Sequence, residues 1–137
     1  MKLNPDCIRA VMLEIEEKHL IVQSSDGSMV KQNIPINQLY ESLLHYSNED
    51  IFYTVYNLDQ AGYISASFFW SGGAAHECNV NHMTFPGHEF LDKIRDEDRW
   101  SAVKSVLSAV SNFSLAAMNA IAEGMTAGAV SAYLEKR

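Results

Sequence analysis

The chain has 137 residues, 47% of them hydrophobic, which suffices for one compact core and is too short for two ordinary domains. A net charge of −7 and a pI near 5.1 weigh against a general nucleic-acid or anionic-membrane binder. Two cysteines, Cys7 and Cys78, cannot make a disulfide framework, and the opening residues lack a secretory apolar run, so reduced thiols and a cytoplasmic setting are expected.

Asn4 followed by Pro5 reads as a helix cap plus a first-turn proline, and Ile8, Val11, Met12 and Ile15 form one apolar stripe, predicting a helix over about residues 5 to 18. Leu20-Ile21-Val22 and Met29-Val30 flank an Asp26-Gly27 turn, which predicts a small hairpin. After Pro35, residues Ile36, Leu39, Tyr40, Leu43 and Leu44 recur at helical spacing, so a second helix with one buried face is expected to end near His45. Ser47 and Asp50 spell a capping box ahead of Ile51, Val55 and Leu58, and Ala61-Gly62 closes this third helix. Tyr63 to Trp70 is rich in β-formers, Ser71-Gly72-Gly73 is a turn, and His76 to Met83 returns as the partner strand. Thr84 then caps a short helix carrying Phe90, Leu91 and Ile94.

Beyond Asp98 the pattern changes: Trp100, Val103, Leu107 and Val110 keep heptad spacing, and Leu115, Met118, Ala122, Met125 and Ala129 repeat it in a shifted register after a break near Ser111-Asn112. Gly124 and Gly128 are spaced for close backbone approach. Asn119 and Glu123 in mid-segment argue against a membrane span. The segment packs either on the core or on a second subunit; for the second case the oligomerisation residues are Leu115, Met118, Gly124, Met125 and Gly128.

The order helix, hairpin, helix, helix, strand, wing, strand, helix, with Leu58-Asp59-Gln60-Ala61-Gly62-Tyr63-Ile64 as the exit from the third helix, resembles the winged-helix class. Residues Met1 to Arg9 and Met83 to Arg95 resemble, more narrowly, a family of uncharacterised proteins common in phages and prophages of Gram-positive bacteria. Met83 and Phe85-Pro86 depart from the leucine and tyrosine-acid pattern of that family. The resemblance covers about the first hundred residues and implies a phage origin and an α+β fold. The expected architecture is a winged-helix-like domain with two short β-hairpins over residues 1–96, followed by a C-terminal helical extension over 97–137. It carries no catalytic residue with it.

The residues themselves also predict no enzyme. His76, Cys78 and His82 would share a face of an extended strand, but Cys78 and His82 would then lie about 13 Å apart, too far for one tetrahedral ion, so neither metal nor cofactor is expected. Neither cysteine has a basic neighbour in sequence to hold a thiolate, and no Gly-x-Ser-x-Gly or phosphate-loop pattern occurs.

Between Gln32 and Asp92 there is no lysine or arginine against seven acidic residues. In a DNA reader this stretch would neutralise phosphates, so direct DNA binding is disfavoured. The polar and aromatic face of the third helix, Glu49, Tyr53, Tyr56, Asn57 and Gln60, together with Trp70 of the wing, is expected to bind a protein. In a phage context that partner is a host or phage protein, and an acidic face suits imitation of nucleic acid before a host defence nuclease or DNA-binding protein. The alternatives are a winged-helix transcription or lysogeny regulator, with Lys2, Arg9, Lys18 and Lys31 as its basic patch, and an assembly protein driven by the C-terminal helices.

Overall fold

The Asn4 side chain accepts from the Asp6 and Cys7 backbone N–H groups at 3.0 and 3.2 Å, starting helix α1 (Pro5–Glu16) where the sequence places it. A computed structural model describes residues 1–110 and 113–124. Helix α1 stops two residues short of the expected end, and its stripe Cys7, Ile8, Val11, Met12 and Ile15 is wholly buried. Strands β1 (Ile21–Gln23) and β2 (Met29–Lys31) form the first hairpin, with Gly27 at φ 89° in its turn.

A short strand that the periodicity does not announce follows, β3 (Ile34–Pro35), leading directly into helix α2 (Ile36–Ser42). The helix was expected to run to His45 and to bury Leu44. It ends at Ser42, the backbone of Leu43 leaves the helical region (φ −117°, ψ 50°), and Leu44 is 85% exposed. Helix α3 (Asn48–Gln60) starts at Ser47, whose hydroxyl accepts from the Asp50 N–H at 3.1 Å. Gly62, at φ 81°, turns the chain into strand β4 (Ile64–Ser71), and Gly72-Gly73, both at positive φ, reverse it into strand β5 (Ala74–Met83).

The larger sheet is antiparallel throughout, in the order β3-β5-β4, with Ile34 opposite Val80 and Phe68 opposite Cys78. Register shifts between Ser65/Ala66 and Phe69/Trp70 insert an extra β5 residue each, Asn81 and His76. Each bulge reverses the alternation of faces. The expected shared face of His76, Cys78 and His82 is therefore corrected: Cys78 points into the core while both histidines are exposed.

Thr84 caps helix α4 (Phe85–Ile94) through its hydroxyl and the Gly87 N–H. Helices α5 (Glu97–Val110) and α6 (Leu115–Gly124) lie against α4 and each other. Trp100, Val103, Leu107, Leu115, Met118 and Ala122 belong to one continuous core with α1, α3 and the sheet. The described part of the tail therefore packs on the core through six of the residues that make its heptad pattern. Asn119 and Glu123, which argued against a membrane span, both accept from Lys93 Nζ of α4, at 3.2 and 2.9 Å. Among the described residues no helix is long and apolar enough to cross a membrane. The fold is thus α+β, with six helices and two small antiparallel sheets among the described residues.

Candidate functional site: the α3 and hairpin face

Three stripes run along α3, as its period of about 3.6 residues requires. Ile51, Thr54, Val55 and Leu58 are buried in the core. Phe52, Tyr56 and Asp59 turn toward β4, where Asp59 Oδ1 accepts from the Ala66 N–H at 2.9 Å and holds the end of the helix to the strand. Glu49, Tyr53, Asn57 and Gln60 form the outward stripe.

The middle stripe meets the hairpin in a cluster of four rings. Phe52 stands edge-on to Phe68 and Trp70 at centroid distances of 5.8 and 6.0 Å, and Tyr56 does the same at 5.7 and 6.4 Å. Phe68 and Trp70 stack on each other at 6.2 Å. Such ring pairs contribute roughly 0.5–1.5 kcal/mol each beyond area burial, so the cluster holds its shape. Phe52 and Phe68 pack against the core, while Tyr56 and Trp70 remain 37% and 50% exposed. Phe69 points to the other side of the sheet, beside His76, and is 58% exposed.

Of the residues expected to form the site, Tyr56 and Trp70 are brought together. Tyr53 instead donates its hydroxyl to the Met1 carbonyl at 3.3 Å, and Asn57 folds its amide back to the Tyr53 carbonyl at 2.8 Å. Asn57 is thus partly occupied by its own helix, whereas Glu49 and Gln60 are open to solvent. Phe52 and Phe68 complete the cluster and were not among the expected site residues. The signal that finds Phe52 is its spacing from Tyr56, four residues on the same helix, opposite the alternate strand positions 68 and 70.

Elsewhere, Leu115 and Met118 spend their apolar surface inside the chain, at 9% and 0% exposure, while Gly124 has open space around it. Met125 and Gly128 lie outside the described residues. The expected basic patch is divided: Arg9 is committed to the carbonyls of Ile94 and Arg95, and only Lys18 and Lys31 border a common groove.

Both thiols are buried, and burial pushes them up, Cys7 in direction and Cys78 to about 11. A folded-state value above the unfolded one favours the native state while the thiol is protonated and loses that contribution as pH rises through the folded value. Thermal stability is therefore expected to decline from the ordinary thiol range toward pH 11. At neutral pH a disulfide reagent should label neither cysteine until urea unfolds the chain, which a thiol titration checks.

The chain is similar to an uncharacterized protein of Haemophilus influenzae, with 29% identity over 126 residues, covering 90% of this chain and 93% of that relative. No solved structure matches it. The family model described as hypothetical protein (DUF2513) matches residues 2–113, a span that holds α1 to α5 with both hairpins. The chain belongs to the DUF2513 family.

Proposed function

We propose that the protein is a non-enzymatic interaction module of phage type whose α3 and hairpin face docks on a protein with a basic contact surface. The observation that carries this reading is the half-exposed cluster of Phe52, Tyr56, Phe68 and Trp70 in a stretch without lysine or arginine. Preorganised aromatic side chains lose little entropy on binding and are typical interface anchors. The acids of the same stretch, with Glu49 exposed on the outward stripe of α3, favour arginine and lysine on the partner, whose cations also suit the ring faces. A host defence nuclease or DNA-binding protein has such a surface, built to hold a polyanion.

The winged-helix reading of the core is supported by α3 running into the β4–β5 hairpin and by β3 pairing on β5 beside it. Within that reading, the acidic face takes the place of a phosphate-binding one. The non-enzymatic part is supported by thiols kept protonated through burial, which removes the nucleophile a cysteine would offer.

Copurification from host cells, followed by titration of the captured protein, tests the reading. Trp70→Ala is expected to weaken the complex by about 2 kcal/mol, near thirtyfold; because the indole also pairs with Phe52, Tyr56 and Phe68, the melting temperature falls as well, and the titration is run well below the variant's own midpoint. Reversing Glu49 and Asp50 to lysine should weaken it further and make the remainder insensitive to salt, with helix stability monitored because both acids sit favourably in the first turn of α3. Binding unchanged in both variants would remove the proposal. Tight duplex-DNA binding with a steep salt slope would favour the regulator reading instead.

A further inference from the structure

We propose that the groove between the end of α1, the first hairpin and the end of β5 binds a phosphorylated ligand of mononucleotide size. It encloses about 760 Å³, inside the range of about 300–1,000 Å³ usual for small-molecule sites. The groove opens because two strands part. β3 stays on β5 at Ile34 and Pro35, while Gln32 and Asn33 before it lead away to β2, which pairs with β1 alone. On that side the last residues of β5, Asn81 to Met83, have no strand beside them among the described residues. The bulge at Asn81 decides what they present, turning His82 out into the groove and Met83 in toward its floor.

The walls have two chemistries. Ile15, Leu20, Ile21 and Met83 supply apolar surface, and Ile21 is 63% exposed, a large aliphatic side chain with no core to cover it. A flat organic body lying there would bury it. Lys18 and Lys31 supply the charge. The Lys31 ammonium meets no carboxylate among the described residues, and Lys18 pairs with the half-buried Glu14 one helical turn away, at 3.2 Å. The one acid on the rim, Glu16, is already claimed: Arg95 holds its carboxyl below the usual range through paired hydrogen bonds. An anion entering the groove therefore meets the Lys31 ammonium without a competing carboxylate, and reaches Lys18 in exchange for its pair with Glu14. Gln32 and Asn33 offer exposed amides, and His82 and His88 offer ring nitrogens, the donors and acceptors that a sugar or base edge needs. None of these residues belongs to the α3 face, so the inference stands apart from the protein-binding reading.

Methyl and amide NMR of the full chain, titrated with adenosine monophosphate, adenosine and inorganic phosphate, tests it. The monophosphate is expected to shift the Met83 and Ile21 methyls saturably, and adenosine and phosphate should each bind about tenfold more weakly or worse. Lys31→Glu, an exposed strand position, should weaken the monophosphate by about tenfold or more while leaving the core methyls of Leu58 and Ile94 in place. Trp70→Ala should bind it as the parent does. Absence of a saturable shift overturns the proposal, as does indifference to Lys31→Glu. Adenosine binding as tightly as the monophosphate removes the anion from it, and equal binding of bare phosphate removes the organic body.

Discussion

Gly87→Ala is expected to cost about 3 kcal/mol or more, a large fraction of the roughly 5–15 kcal/mol that holds a small domain together. A Cβ at Gly87 would sit 1.9 Å from the Tyr63 carbonyl oxygen and 2.9 Å from Met83 Cγ. Methionine can yield, but the carbonyl cannot. It accepts from the Thr84 N–H at 3.1 Å, and the Thr84 hydroxyl both donates to the Gly62 carbonyl and accepts from the Gly87 N–H. The start of α4 is thereby bolted to the turn between α3 and β4, and Tyr63 stacks on Phe90 at 4.7 Å one helical turn further. To admit one methyl, α4 must move away from that turn and lose the two bonds that Thr84 makes to Tyr63 and Gly62. Urea unfolding of Gly87→Ala against Gly124→Ala, whose Cβ meets nothing within 4 Å, isolates the effect. A wild-type midpoint for Gly87→Ala would show that the two segments do not touch as described.

Trp100→Ala is expected to cost about 3–5 kcal/mol, the usual range for truncating a large buried aromatic. Trp100 is 6% exposed, donates its indole N–H to Asp6 at 3.1 Å, and carries the Arg9 guanidinium 6.0 Å from its ring. Arg9 in turn donates to the carbonyls of Ile94 and Arg95, the last turn of α4, where acceptors have no partner within the helix. One side chain thus joins α5 to α1 and to the end of α4. If residues 97–137 fold as part of the same unit, the loss must lower a single transition for the whole chain. Two separated calorimetric transitions, the larger one unmoved by Trp100→Ala, would mark the tail as an independent appendage.

The parts of the fold that were legible are those in which neighbouring residues supply the whole cause. Asn4 and Pro5, Ser47, Thr84, and the glycines at positive φ each act within a few residues and do what their positions imply; of the Ser47–Asp50 capping box, the observed half is the Ser47 hydroxyl accepting from the Asp50 N–H. The α2 end was misread because an apolar spacing says which face a helix would bury, not whether the chain remains helical. Leu43 leaves the helix, and the Leu44 side chain loses the face it was assigned. Strand β3 was invisible for a different reason. Two residues, one of them proline, have no period, and they become a strand only because β5 lies beside them, with Val80 opposite Ile34.

What the sequence alone determined was charge and chemistry: the absence of cations from Gln32 to Asp92, the aromatic supply of α3 and the hairpin, and the pairing of apolar stripes with local caps. Tertiary structure decided where those groups face. Two bulges in β5 reversed its alternation, separating Cys78 from His76 and His82, and long-range packing left Trp70 half exposed while sealing Leu115 and Met118 inside. Spacing along a chain specifies direction only until an extra residue or a distant partner intervenes, and both do so here at the surfaces proposed to bind.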